Sequence, residues 1–166
     1  FPTRRSSDLH QARRWRLQQK ERAMHAALLD ALTQWMTGRY LRAVKSAQQV
    51  LQLEALLADT RTRDDPAPRH AQQLRALAHL IAAESAQVLR DREGRDGHFQ
   101  SVLQLAEQHP SEAMTEAVDA AKLGAARWSL SDRDATQALR WLDSLPHGTA
   151  RRTLSLRMRL KATRLD

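Results

Sequence analysis

Residues 24–51 read MHAALLDALTQWMTGRYLRAVKSAQQVL, a stretch that predicts two helices separated by one glycine, Gly38. Apolar residues recur at three- and four-residue steps on both sides of this glycine, as in amphipathic helices. They are Met24, Ala27, Leu28, Ala31 and Trp35 before it, and Ala43, Val44, Ala47 and Leu51 after it. Glycine is common just past a helix end because it adopts a positive φ easily. So short a break predicts antiparallel neighbours, and one hairpin needs others stacked beside it to bury its apolar stripes.

The composition favours an all-helical chain of 166 residues, with only five Gly, five Pro, two Phe and one Tyr. The sequence has no cysteine, which excludes a disulfide framework, a zinc knuckle and thiol catalysis. No apolar run approaches the roughly 18 residues that a membrane-spanning helix requires. The chain is long enough to bury a substantial core as one domain or a short array.

The net charge of +8 is concentrated at the two ends of the chain. Residues 1–22 hold seven Arg and Lys against two acids, and residues 150–166 hold six against one. The middle holds 14 basic and 16 acidic residues, so two basic ends flank a near-neutral body. This pattern suits contact of the ends with an anionic membrane surface or with nucleic acid, and a solvated helix face explains it equally well.

Hydrophobic periodicity and turn residues divide the chain into about seven helices, in pairs spanning 10–59, 69–108 and 111–165. Breaks are expected over 60–69, at Gly94 and Gly97, and over 131–134, with Ser111 capping one helix and Thr149 another. The third helix is expected to turn its apolar face inward, namely Leu74, Leu77, Ala78, Ile81, Ser85 and Val88. Residues 154–160 also show the alternation of a strand. A helix is preferred, because Leu154, Met158, Lys161 and Leu165 also fit helical spacing and no partner strand is predicted elsewhere.

The first nine residues, FPTRRSSDL, show no apolar periodicity and resemble the translation of a sequencing-adapter tail. We interpret residues 1–9 as a non-native tail and residues 10–166 as one helical-repeat domain that is truncated at both ends.

The first hairpin resembles a tetratricopeptide repeat, in which small and aromatic residues at fixed places allow two helices to pack closely. The positions that match this motif are Ala31, Gly38, Tyr40 and Ala43, and Gly124, Ala135 and Ala138 fall approximately in phase later in the chain. Asp30 departs from the motif, which has a large apolar residue there. The resemblance implies tetratricopeptide-like hairpins stacked as a short right-handed solenoid.

Residues 10–166 also resemble the HemY-type haem-biosynthesis-associated protein of proteobacteria. The resemblance lies in residues 38–45, GRYLRAVK, in residues 82–87, AAESAQ, with Arg95 and Asp96 after them, and in the Ala and Leu pattern of residues 135–146. It implies an inner-membrane protein associated with late haem synthesis, with two membrane helices before this region and no established catalytic residues. The basic run would then be a juxtamembrane stretch on the cytoplasmic side, facing an anionic surface. This run comprises Arg13, Arg14, Trp15, Arg16, Lys20 and Arg22.

The sequence predicts no catalytic, cofactor-binding or metal-binding residue. The seven histidines include no His-Glu-x-x-His motif and no pair four residues apart, so surface histidine is favoured over a metal or haem ligand. His79 and His98 are the best candidates of this set because they flank the second predicted hairpin. Glu84 is interpreted as a salt-bridge partner or cap. Trp35, Trp128 and Trp141 are expected in the core, whereas Trp15 is a candidate interfacial anchor.

Three functions remain open on the sequence. The preferred one is a non-enzymatic scaffold, tethered to the membrane in the full-length protein, that binds protein partners such as tetrapyrrole-pathway enzymes. The second is a soluble basic repeat protein that binds nucleic acid through its ends; it is disfavoured because few aromatic residues accompany the basic ones. The third is an enzyme or a haem or porphyrin carrier, for which His79 and His98 would be the ligands to test.

Overall fold

The computed structural model of the chain describes residues 2–63 and 70–165, and these ranges are all-helical, with no strand. The expectation of an all-α chain is therefore confirmed, including a helix for the last segment. There are eight helices in these ranges rather than about seven, because residues 147–150 form a separate single turn. They are α1 (Pro2–Met36), α2 (Tyr40–Thr60), α3 (Ala71–Val88), α4 (Arg92–Gln108), α5 (Glu112–Ser131), α6 (Ala135–Asp143), α7 (His147–Ala150) and α8 (Thr153–Leu165).

Neighbouring helices pack in the order of the chain. The pairs α1–α2, α3–α4 and α5–α6 are in contact, and the links of about three residues within each pair make them antiparallel. Helix α3 also contacts α1, α2 and α5, and α8 packs against both α5 and α6. Helices α1, α3 and α5 therefore form a row in which each contacts the next.

The first hairpin forms around Gly38 as expected. Gly38 has φ of +81°, and the Arg39 amide donates to the Gln34 carbonyl at 2.8 Å across the turn. Ala31 and Ala43 are fully buried between α1 and α2, where only a small side chain allows this approach. Asp30, the departure from the repeat motif, accepts a short hydrogen bond from the Ser46 hydroxyl of α2. A polar contact between the two helices thus replaces the apolar one.

The second hairpin turns earlier than expected. Gly94 and Gly97 lie inside α4, so the prediction of a turn at these glycines was wrong. The turn is at residues 89–91 instead, where Arg90 adopts a left-handed φ of 60° and the Asp91 carboxylate accepts from the Gly94 amide at 3.0 Å. A capping aspartate accepts a hydrogen bond from an amide of the first turn, which has no partner within the helix. This stabilises a helix that begins at Arg92 more than the two glycines destabilise it. The break expected over 60–69 begins after α2, and residues 64–69 of it lie outside the described residues.

The cap expected at Ser111 is confirmed, since its hydroxyl accepts from the Met114 amide at 3.1 Å at the start of α5. The cap expected at Thr149 is wrong, because Thr149 lies within α7. Its hydroxyl donates to Asp119 at 3.0 Å, and its carbonyl accepts from the buried Ser155 hydroxyl at 2.7 Å. Thr149 therefore ties α7 to α5 and to α8.

The helix predicted for the last segment is present as α8. Ser155, Met158 and Ala162 are buried, whereas Leu154, Lys161 and Leu165 are exposed. Of the four residues whose spacing indicated this helix, only Met158 is buried, because the face of a helix that becomes buried depends on the direction from which its neighbours approach.

Residues 2–9 form the first turns of α1. Their conformation has no bearing on whether they are native, which stays a prediction.

Candidate partner-binding groove

A groove of about 280 Å³ lies along the row formed by α1, α3 and α5. Its walls are almost entirely aliphatic or aromatic, with one acidic and one basic side chain. The lining residues are Leu28, Leu29, Leu32 and Trp35 of α1, Leu77, Leu80, Ile81 and Glu84 of α3, and Ala120 and Arg127 of α5. Because the groove takes residues from three helices that are distant in sequence, tertiary packing alone creates it.

Several leucines of the groove are exposed although they sit beside a well-packed core. Leu29 is 65% exposed, and Leu32 and Leu77 are each 40% exposed. Leu77 was expected to point inward with its neighbours on α3; this was wrong, as it was for Val88, which is 52% exposed. Contiguous exposed apolar surface of this kind marks sites of interaction more often than single exposed residues do.

A two-pronged ion pair closes one end of the groove. Arg127 donates from Nη2 to Glu84 Oε1 at 2.9 Å and from Nη1 to Glu84 Oε2 at 3.2 Å. The pair links α3 to α5, in agreement with the interpretation of Glu84 as a salt-bridge partner. The geometry of a guanidinium facing a carboxylate fixes both side chains in direction as well as distance. The groove therefore has an apolar floor and one rigid polar end.

The residues predicted to pack repeats together lie mainly in the interior. Ala31, Ala43, Gly124, Ala135 and Ala138 are buried, Tyr40 is half-buried, and Gly38 lies in the exposed turn. Trp128 is buried, whereas Trp35 and Trp141 are half-buried.

The predicted basic surface runs along the first part of α1, before the groove residues of that helix. Arg14, Trp15, Arg16 and Arg22 are exposed, and Arg13 and Lys20 are half-buried. Arg13 donates to the Thr60 carbonyl at 2.9 Å, which anchors this part of α1 to the end of α2. Trp15 is 61% exposed, so most of its apolar surface packs against no residue in the described part of the chain.

The structure brings His79 of α3 and His98 of α4 together. Their Nδ1 atoms are 2.9 Å apart. The ring centroids are 5.2 Å apart, which is about the largest separation possible for two rings whose Nδ1 atoms lie at that distance. The two nitrogens thus face each other along a hydrogen bond, instead of converging on a point where a shared metal ion would sit. Burial, followed by the charges of His98 and Arg75, lowers the pKa of His79 to about 4. Burial also lowers the pKa of His98, although Asp91 opposes this.

A buried arginine, named in the sequence only as part of the family resemblance, joins the middle helices. Arg95 of α4 is only 8% exposed, and its guanidinium carbon lies 5.2 Å from the centroid of the Trp128 ring. It donates to Gln87 at 2.6 Å and to Asp96 at 2.9 Å. The sequence offered no signal for this role, since an Arg next to an Asp near a helix start is typical of a solvated surface.

The described residues include no cluster of three or more metal-ligating side chains. Within the same ranges, none of the helices combines the length and apolar character needed to cross a bilayer. A scan of the chain against protein-family models finds no match, and searches of the curated proteins and of the solved structures find none either.

Proposed function

We propose that this protein is a non-enzymatic helical-repeat scaffold, and that the groove along α1, α3 and α5 binds an amphipathic helix of a protein partner. The observation that carries the proposal is the row of exposed leucines, Leu29, Leu32 and Leu77, on adjacent helices of the groove. An amphipathic helix that lays its apolar face into such a groove buries both surfaces at once. Burying apolar surface contributes about 25 cal/mol per Å² removed from water, so a few leucines on each side supply useful affinity.

The polar end of the groove would set the direction of the bound helix. The Glu84–Arg127 pair has an exposed arginine, and a partner carrying a carboxylate or an amide beside its apolar stripe could bond to it. Polar groups at the rim of an apolar groove contribute register and specificity more than affinity.

The packing order supports the further proposal that the hairpins form a tetratricopeptide-like, right-handed solenoid. In such an array the first helices of successive hairpins contact one another and line one surface, as α1, α3 and α5 do. The small buried residues Ala31 and Ala43 of the first hairpin fit the same arrangement.

The cellular setting of the proposal comes from the resemblance to the HemY-type family. On that basis the partners would be enzymes of late haem synthesis, and the full-length protein would be tethered to the bacterial inner membrane. The basic run from Arg13 to Arg22 would face the anionic cytoplasmic surface.

The proposal is tested with a phage-displayed library of peptides about 16 residues long, selected on the wild-type chain. The selected peptides are then measured by fluorescence anisotropy on a variant carrying Leu32→Asp and Leu77→Asp. We expect peptides with apolar residues at helical spacing, and an affinity at least about tenfold weaker for the variant, since two charges would stand on the apolar floor. Leu56→Asp is the matched control: Leu56 is 50% exposed on α2, outside the groove, and its replacement should leave binding unchanged.

Two results would contradict the scaffold proposal. One is that the selected peptides bind the groove variant and the wild type equally. The other is that haem binds with a shifted Soret band that His79→Ala abolishes, while the library yields no groove-dependent peptide; this outcome would favour the carrier instead.

A further inference from the structure

A second groove lies between α5 and α8 and differs in character from the first. It encloses about 700 Å³ and is lined by Arg127, Leu130, Ser131, Leu154, Arg157, Met158, Lys161, Arg164 and Leu165. Four of these nine residues are cations, four are aliphatic or thioether side chains, and none is acidic. Apolar and positively charged surface thus alternate within one groove.

The cations of α8 follow the helical repeat. Arg157, Lys161 and Arg164 are separated by four and then three residues, so they lie on one face of the helix. All three are exposed, and none forms an ion pair with a carboxylate of the described residues. Arg159, on another side of α8, does pair, with Asp143 at 2.7 Å. The acid of α6 thus neutralises Arg159 and leaves the groove face of α8 positive.

The apolar part of the groove is exposed as well. Leu154 is 49% exposed at one end of α8, and Leu165 is exposed at the other, while Met158 between them is buried. A row of like charges costs free energy through mutual repulsion, and exposed leucines gain none of the free energy of burial. A ligand with carboxylates beside apolar groups would relieve both.

We propose that the groove between α5 and α8 is a second docking surface, and that it binds an acidic amphipathic helix of a partner protein. Such a helix is complementary to the groove in both charge and shape. Glutamates on the flanks of the helix would pair with Arg157, Lys161 and Arg164, and its leucines would cover Leu154 and Leu165.

Other anionic partners match these features less well. A nucleic acid would use the cations through its phosphates but gains nothing from Leu130, Leu154 and Met158, and the groove offers no aromatic ring on which a base could stack. A bilayer surface is broad and cannot enter a groove between two helices, whereas a single helix, about 10 Å across, fits against one. The surface is also separate from the α1/α3/α5 groove, apart from Arg127, which lines both.

The test uses three fluorescein-labelled probes: a designed helix with leucine at every third or fourth position between glutamates, the same peptide with serine for leucine, and a duplex DNA. Anisotropy titrations are made on the wild-type chain and on a variant with Arg157→Glu and Lys161→Glu. We expect the acidic amphipathic helix to bind more tightly than either other probe. We also expect the charge reversal to weaken it by at least about tenfold, because side chains that attract the glutamates of the helix are replaced by side chains that repel them. Leu154→Ser should weaken it less, by about threefold.

The matched control is Arg14→Glu with Arg16→Glu, which produces the same change in net charge on exposed residues of α1. It should leave the affinity of the helix nearly unchanged, and circular dichroism should show all variants folded. Equal binding of the serine peptide or the DNA would overturn the proposal, since recognition would then be electrostatic alone. It would also be overturned if anionic phospholipid vesicles bound in its place with the same dependence on Arg157 and Lys161. Failure here leaves the α1/α3/α5 groove untouched, because Leu32→Asp and Leu77→Asp report on that groove separately.

Discussion

Gly124 of α5 lies directly against the carboxylate of Glu84 on α3. A Cβ placed on Gly124 would be 2.9 Å from Glu84 Oε1 and 3.3 Å from the Trp128 ring. The hydrogen atom of this glycine therefore leaves room for Glu84 to reach across and pair with Arg127 at the end of the groove. A position that the repeat motif reserves for helix packing also shapes a candidate binding surface.

Gly124→Ala is expected to change the ion pair more than the overall stability. Alanine raises helix propensity by about 1 kcal/mol, and the displaced Glu84 and Trp128 offset that gain. A double-mutant cycle between Glu84→Gln and Arg127→Gln should give a coupling of about 0.5–1 kcal/mol in the wild-type background and nearly none in the Gly124→Ala background. An unchanged coupling would show that Glu84 finds another route to Arg127.

Gly38→Ala and Gly97→Ala are expected to have opposite effects on the free energy of unfolding. Gly38 has a positive φ, so alanine there should destabilise the protein by about 1 kcal/mol through backbone strain alone, since a Cβ would meet no atom within 4 Å. Gly97 lies inside α4 with equally open space around it, so alanine should stabilise by up to about 1 kcal/mol. Urea denaturation measures both. Destabilisation by Gly97→Ala would contradict the placement of this residue within a helix.

The burial of His79, together with its contact with His98, predicts a loss of stability in mild acid. The folded protein holds the pKa of His79 at about 4, below the 6.5 of the unfolded chain, so the unfolded state binds more protons between these values. Stability is thus unaffected by this group above pH 6.5 and falls as the pH drops towards 4, by at most about 1.4 kcal/mol per pH unit. Urea denaturation at several pH values should show a shallower decline for His79→Leu. An identical decline in both proteins would place the acid sensitivity elsewhere.

The hydrogen bond that Ser46 donates to Asp30 predicts that folding favours the charged form of this carboxylate. The Ser46 hydroxyl, followed by the Gln34 amide, lowers the pKa of Asp30 below its ordinary value. The ionised form is therefore favoured in the folded protein, and its contribution is present above the unfolded pKa and lost as the pH falls through the folded one. Ser46→Ala should raise the pKa of Asp30 towards 3.8, as followed by NMR of the carboxyl carbon. An unchanged pKa would show that Gln34 and Arg42 are enough to keep the pKa of Asp30 low.

Ser111→Ala tests the predicted helix cap that the structure confirms. It should lower the free energy of unfolding by about 1 kcal/mol, because the Met114 amide loses its acceptor at the start of α5. Ser111→Asp, which retains an acceptor, should restore most of the loss. If Ser111→Ala has no effect, water replaces the hydroxyl fully.

Sequence alone is enough to predict the helical class, the first hairpin and the cap at Ser111, because these depend on residues within a few positions of one another. Apolar spacing, Gly38 and the Ser hydroxyl act through local backbone geometry, which requires no knowledge of distant parts of the chain. Where two local signals competed, sequence reasoning failed: at Gly94 and Gly97 the capping carboxylate of Asp91 prevailed, and the turn moved to residues 89–91.

Which side of each helix remains exposed depends instead on how the helices pack against one another. The spacing of Leu77 matches that of its buried neighbours on α3, yet it lines a groove because α1 and α5 approach α3 from other directions. Three contacts join residues from different helices: His79 with His98, Glu84 with Arg127, and the buried Arg95 with Gln87. Such contacts depend on the angles and offsets at which helices pack, and the periodicity of a single helix does not specify these.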